Sequence, residues 1–411
     1  MTITLHPGPR APGRRRVALY SHDTQGLGHV RRNIGLAAAL VDAQPATDVL
    51  LITGAPEATS LPLPPTTDVL TLPTLRKDAS GRYTARALDA SLDQVLRMRS
   101  SIICAAVTSF APDLFIVDKV ARGVDGELDA TLAALRATRR CKVVLGLREI
   151  LDEPDVARRE WDSARTTAVL REHYDGVWVY GDPQVGDPSL DLGLAPDVAS
   201  MVHHTGYLAS GRGVGTTARI RSAPRVRPPT QPYVLCLVGG GQDGFALAHA
   251  FVQSLMPAGH RGVVLTGPYM RREARAVLRR DAAANPARVG IEEFVPNADA
   301  FIASAAAVVS MAGYNSTCEL LQEGRPTVLV PRVRPRTEQL LRARRLAALG
   351  WVDVLHPDDL GPEPMGRWLD GAVNAPVRRG AALDLDGLAR VPVLADALID
   401  SSEVARVDIA V

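Results

Sequence analysis

Val17-Ala18-Leu19-Tyr20-Ser21-His22-Asp23-Thr24-Gln25-Gly26-Leu27-Gly28-His29-Val30-Arg31-Arg32 passes from an apolar run, through two glycines, into a helix-forming segment. Four apolar residues in a row, with no polar alternation, describe a strand covered on both faces, as in a parallel sheet. The same kind of run returns at Val49-Leu50-Leu51-Ile52, Leu114-Phe115-Ile116-Val117, Val143-Val144-Leu145-Gly146 and Gly176-Val177-Trp178-Val179-Tyr180. Helical stretches lie between them, among them 31–41 and 88–110. Strand and helix in alternation make βαβ units, and these build a doubly wound parallel sheet.

The composition changes at Ser210. Residues 210–232 are rich in Gly, Pro and Arg with little apolar content, which marks a domain boundary. The alternation then restarts. Val234-Leu235-Cys236-Leu237-Val238 runs into Gly239-Gly240-Gly241, and 263–266, 291–295, 307–310 and 327–330 complete a second parallel set. The expected order is a disordered leader 1–15, a first Rossmann-like domain 16–209, a linker 210–232, and a second Rossmann-like domain 233–370. One or two terminal helices follow within 371–411. At roughly 100–200 residues per domain, a length of 411 fits two domains.

Charge and cysteine usage exclude several classes. With 47 basic against 45 acidic side chains, the net charge of +2 lacks the electrostatic footprint of a general nucleic-acid binder. The cysteines Cys104, Cys141, Cys236 and Cys318 lie far apart without CxxC spacing, against a zinc ribbon or a disulfide framework. No structural metal and no cofactor are expected, and reducing cytoplasm is the default location. The Pro- and Arg-rich opening has no apolar signal core. The uncharged stretch 300–318 is broken by Ser304, Ser310, Gly313, Asn315 and Ser316, so it reads as strand, turn and helix rather than a membrane span. The expectation is a soluble monomer or homodimer with no integral membrane segment.

Three loops carry the chemistry. Gly26-Leu27-Gly28 lets backbone approach a ligand at a helix N-terminus. It is no dinucleotide fingerprint, because Arg31 stands where a third Gly belongs and the second strand ends Ile52-Thr53-Gly54 without an acid. His29 follows the second Gly directly: at a strand's C-terminal edge it serves as a general base, or it pads the helix start. Gly239-Gly240-Gly241-Gln242-Asp243-Gly244 occupies the matching place in the second half, and it is not a Walker A loop. In Ser310-Met311-Ala312-Gly313-Tyr314-Asn315-Ser316-Thr317-Cys318-Glu319, the residues Asn315, Ser316 and Thr317 are expected to cap a helix whose N–H groups form an anion site. Glu319 would fall in its first turn, either as a plain helix charge or as an acceptor for a vicinal diol such as ribose. Arg332, Arg334 and Arg336 clamp phosphate or form a solvated loop, and Glu338 and Gln339 open the next helix within reach of sugar hydroxyls. Arg148, Glu149 and Asp152 sit on a strand-end loop that faces the crevice or is simply polar.

Together these segments resemble the GT-B glycosyltransferases of family 28, and a group of predicted actinobacterial glycosyltransferases that share Ile116-Val117-Asp118-Lys119 and Leu147-Arg148-Glu149-Ile150-Leu151-Asp152. The carriers are Gln25-Gly26-Leu27-Gly28-His29-Val30, the Gly239–Gly244 loop, Ser310–Glu319 with Gly324-Arg325-Pro326 and Glu338-Gln339, and His204-Thr205-Gly206-Tyr207. The resemblance implies two domains facing a central cleft, with the terminal helices packed back on the first. It also implies inverting transfer, without an essential metal, from a nucleoside-diphosphate sugar (UDP foremost) to a hydroxyl. His29 would be the base, with Asp118 orienting it unless that aspartate is a plain helix cap. On the donor side, Gly240, Gly241, Ser316 and Thr317 would lie near the diphosphate, and Gln242, Gly313, Asn315 and Arg334 are further expected donor contacts. Glu319 would take the ribose, Glu338 and Gln339 the sugar, and the Phe294-Val295 backbone the base edge. Gly28, Arg148 and Glu149 are the expected acceptor contacts. With aromatic content of 4% and no Lys/Arg-flanked apolar patch, a small soluble acceptor such as an aminocyclitol or secondary metabolite is favoured. The rival readings are a sugar-nucleotide 2-epimerase on the same scaffold and a non-catalytic nucleotide-sugar-binding accessory protein.

Overall fold

Along β1 (Arg15–Ser21), Val17 and Leu19 enter one hydrophobic core while Ala18 and Tyr20 enter another. β6 (Leu114–Asp118) does the same, with Leu114 and Ile116 on one side and Phe115 and Val117 on the other. A continuous apolar run is the sequence form of that two-sided burial. These features come from a computed structural model that describes residues 13–22, 26–77, 82–211, 226–284, 288–293, 295 and 298–407.

The first sheet also contains β2 (Thr47–Thr53), β3 (Thr67–Thr71), β7 (Lys142–Arg148), β8 (Gly176–Tyr180) and β9 (Val202–His204). All pairings in it are parallel, and its order is β3-β2-β1-β6-β7-β8-β9. A small antiparallel hairpin, β4 (Leu75–Lys77) and β5 (Tyr83–Ala85), stands apart. The second sheet takes β10 (Tyr233–Leu237), β11 (Arg261–Leu265), β12 (Val289–Glu292), β13 (Ala307–Ser310), β14 (Thr327–Leu329) and β15 (Asp353–Val354) in the order β12-β11-β10-β13-β14-β15, again parallel. Chain order reverses between β1 and β6 in one sheet and between β10 and β13 in the other. Crevices open at such switch points, outside the carboxyl ends of the strands.

The two sheets share a core. Val17 and Leu19 belong to the same apolar cluster as Leu235 and Leu237, bridged by residues of the helices Gly28–Ala43, Tyr314–Glu323, Glu338–Ala348 and Gly387–Val407. The last of these lies on the first domain: the Leu388 side chain comes within 3.9 Å of where a Gly35 Cβ would stand, and Asp396 pairs with Arg15. Tyr207 N–H donates to Asp384 O at 2.7 Å, tying the end of the first domain to the segment that leads into that helix. A fully buried ion pair also crosses between domains, Arg342 Nε to Glu149 Oε1 at 2.5 Å, with Tyr207 Oη donating to the same carboxylate at 2.9 Å.

Several expectations shift. Arg15 already belongs to β1, so it is no part of a leader; residues 1–12 and most of the expected linker, 212–225, lie outside the described residues. The helix expected from 88 starts at Leu92, because Ser91 and Gln94 close a capping box there. Among the described residues no helix is long and apolar enough to cross a membrane.

Candidate active site

At the first switch point the turn after β1 delivers His29 as the second residue of the helix Gly28–Ala43. The end of β6 delivers Asp118 from the other side of the reversal. His29 Nδ1 lies 2.5 Å from Asp118 Oδ2. Arg32, one helical turn after His29 and buried, reaches Asp118 Oδ1 at 2.5 Å and Oδ2 at 2.5 Å. Its guanidinium also covers the rings of Tyr180 at 5.8 Å and Tyr314 at 5.5 Å. Burial alone would raise the Asp118 carboxyl, but the Arg32 charge, and then His29, hold it well below the usual carboxylate range. Asp118 is thus an ionised acceptor, so His29 donates from Nδ1. Arg32 Nη2 lies 2.9 Å from that nitrogen, and the carboxylate is the acceptor both share. The lone pair of the imidazole is left on Nε2.

The second switch point is made mostly of backbone. β10 runs into Gly239 and Gly240, and Gly241 turns under Thr266: with φ at +90°, a Cβ there would sit 2.1 Å from the Thr266 carbonyl oxygen. Gly267 is as tightly placed, its Cβ position 2.3 Å from Gly239 O. Beyond β13, Gly313 is the N-cap of the helix Tyr314–Glu323, and no side chain caps it. Asn315 donates across the cleft from Nδ2 to Gly28 O at 2.8 Å, and Arg31 reaches Glu319 at 3.3 Å.

Between the two switch points lies a cavity of about 1170 Å³. One wall carries His29, Arg31 and Arg148; the opposite wall carries Gly239, Gly240, Ser316 and Glu319. A third side is apolar, from Ile34, Ala38, Leu61, Pro62, Leu388 and Pro392. An imidazole with a free nitrogen therefore faces glycine backbone and a helix start across one cavity.

Residues 234–370 match the glycosyltransferase family 28 C-terminal domain. A UDP-N-acetylglucosamine--N-acetylmuramyl-(pentapeptide) pyrophosphoryl-undecaprenol N-acetylglucosamine transferase of Brucella anthropi is 27% identical over 190 residues, 42% of this chain and 51% of that protein. The chain thus spans about half the length of the curated relatives it matches. Among solved structures, the calicheamicin glycosyltransferase superposes with a TM-score of 0.56 at 17% identity, covering 96% of this chain and 98% of that one. A structure described as a putative UDP-N-acetylglucosamine 2-epimerase from Listeria monocytogenes does so with a TM-score of 0.56 at 12% identity, covering 95% and 97%.

The fold is GT-B.

Within the GT-B cleft, eleven of the residues singled out from sequence line the cavity: Gly28, His29 and Arg148 on the first domain, Gly240, Val295, Gly313, Asn315, Ser316 and Glu319 on the second, and Glu338 and Gln339 beside them. Asp118 stands just behind His29. Gln25 and Phe294 lie outside the described residues. Five others are placed differently. Glu149 is fully buried in the ion pair with Arg342, so it fastens the domains and does not face the cleft. Arg334 points to solvent, and the cavity arginine of that loop is Arg332, held by Asp243 and Glu338 at 3.0 Å each. Gly241 is buried beneath its loop and Gln242 is exposed away from the cavity. Thr317 is buried inside the helix, because Gly313 caps it and places Asn315, Ser316 and Thr317 within its first turn rather than ahead of it. For the same reason Glu319 falls in the second turn. The missed contributors are Arg31, Arg32, Tyr314 and the Gly267-Pro268-Tyr269 loop. The i, i+3 spacing of His29 and Arg32 was the one available signal, and it gains meaning only with Asp118 between them.

Proposed function

We propose that the chain is an inverting, metal-independent glycosyltransferase of the cytoplasm. It moves a sugar from a nucleoside-diphosphate donor, UDP foremost, to a hydroxyl of a small soluble acceptor such as an aminocyclitol or secondary metabolite. The observation that carries this reading is the His29–Asp118 pair, aimed across the cleft at an uncapped helix start and a glycine loop. An acceptor hydroxyl must lose its proton as its oxygen bonds to the anomeric carbon. His29 Nε2 takes that proton, and Asp118 stabilises the imidazolium that results. The bond from the anomeric carbon to the diphosphate oxygen breaks with inversion, and negative charge grows on the leaving group. Backbone N–H groups at the Tyr314–Glu323 helix start and the Gly239-Gly240 turn are the matching stabilisers. Arg332 adds positive charge without a metal ion. The family 28 match over 234–370 supports the donor assignment, and the apolar side of the cavity suits the body of an aglycone.

The test is transfer with purified protein, UDP-sugars and a panel of hydroxylated acceptors, with the product's anomeric configuration read by NMR. An inverted glycoside that forms undiminished in the presence of EDTA supports the reading. A C2 epimer formed from the donor alone would replace it with the epimerase.

A further inference from the structure

Four arginines gather near the floor of the cleft, and three have a carboxylate of their own. Arg32 holds Asp118, Arg342 holds Glu149, and Arg332 holds Glu338. Arg148 has none. It ends β7, it lines the cavity, and its Nε is sealed from water without an acceptor. Burial, and next the charge of Arg342, bring its pKa down to about 10, which leaves it a cation at neutral pH. A cation with one nitrogen sealed and unpaired, at a cavity wall that carries other arginines, opposes folding, so its presence calls for a compensating function. Glu338 shows the complementary need: one oxygen accepts from Arg332 Nη2 at 3.0 Å, while Oε2 is buried with no donor among the described residues. Glu338 contributes to the field at Arg148 and lines the same cavity, yet the two form no ion pair.

We propose that Arg148 and Glu338 form a subsite for a hydroxylated carboxylate. Arg148 pairs with the carboxylate and Glu338 Oε2 accepts from a neighbouring hydroxyl. This rests on the cleft being the substrate site. Two sources carry that chemistry: a donor whose sugar is a uronic acid, and a free hydroxy acid in the acceptor position.

Calorimetric titration of the full chain with UDP, UDP-glucose, UDP-glucuronate, and glucuronate in the presence of UDP separates them. For the donor source, UDP-glucuronate binds about 10- to 150-fold more tightly than UDP-glucose, the range for hydrogen bonds to a charged group. In that case Arg148→Gln equalises the two, Arg148→Lys keeps part of the preference, and UDP alone binds all three proteins alike. For the acceptor source, glucuronate binds the UDP-loaded wild type and not Arg148→Gln. Carboxylate binding unchanged by Arg148→Gln in both arms overturns the proposal. A lower melting temperature of Arg148→Gln with no effect on any ligand also overturns it, since that assigns Arg148 to the fold. Should UDP fail to bind the wild type, the nucleotide reading falls, and glucuronate alone then decides the role of Arg148.

Discussion

At the β1–β6 switch point the chemistry is carried by side chains already paired with one another; at the β10–β13 switch point it is carried by backbone. His29, Asp118 and Arg32 form a closed set in which each charge is met and the imidazole is held in one orientation. Across the cleft, Gly239, Gly240 and the start of the Tyr314–Glu323 helix offer dipoles with almost no side chain in front of them. The difference follows from the tasks. Moving a proton needs a group of defined tautomer, whereas holding a leaving diphosphate needs several donors and room for close approach. The first region should therefore be broken by removing a side chain, and the second by adding one.

The largest effect is expected at the base. His29→Ala should lower turnover by ~10²–10⁴-fold while leaving nucleotide affinity nearly unchanged, measured by steady-state kinetics and calorimetry. Unchanged turnover would remove His29 from the mechanism. Asp118→Asn comes next, because it leaves the buried Arg32 uncompensated. It should cost about 3–5 kcal/mol in urea unfolding, besides loosening the imidazole. The same carboxylate sets an acid limit. Since its folded pKa is depressed, its stabilisation is complete above the unfolded value of about 4 and drains away as pH falls below it. The wild type should lose stability through that window more steeply than Asp118→Asn.

On the backbone side, Gly240→Ala and Gly241→Ala should separate binding from folding. At Gly240 a Cβ meets only the Tyr269 ring, at 3.6 Å, so stability should hold while the methyl, placed in the cavity, weakens UDP binding. At Gly241 the positive φ and the Thr266 carbonyl make the same change cost about 1–3 kcal/mol or more. Equal stability of the two variants would contradict the loop geometry. The smallest effect is expected for Glu319→Gln. Its pair with Arg31 is nearly half-exposed on the arginine side, so stability should change by less than about 1 kcal/mol. UDP affinity should fall if this carboxylate takes the ribose.

The same contrast explains what could be read from sequence. Strands such as β1 and β6 announce themselves because two-sided burial demands unbroken apolar runs. β3, with Thr67 and Asp68 at an edge, and the two-residue β15 carry no such signal. His29 was legible because it adjoins a glycine turn, and the glycine loops were legible because little else tolerates a positive φ. Arg32 and Glu149 were not. Their roles depend on Asp118 and Arg342, 86 and 193 residues away, and such distant pairs leave no local pattern. Glu319 lies one turn deeper than its sequence suggests, because three good capping residues follow Gly313, yet the helix begins before them.

The most direct test of the central claim is a thermal-shift panel of UDP-, dTDP- and GDP-sugars on the wild-type chain. Binding across the cleft predicts a concentration-dependent rise in melting temperature with one donor class, UDP-sugars foremost, retained in His29→Ala and reduced in Gly240→Ala. No rise with any of the three would contradict the assignment of the cleft to a nucleoside-diphosphate sugar.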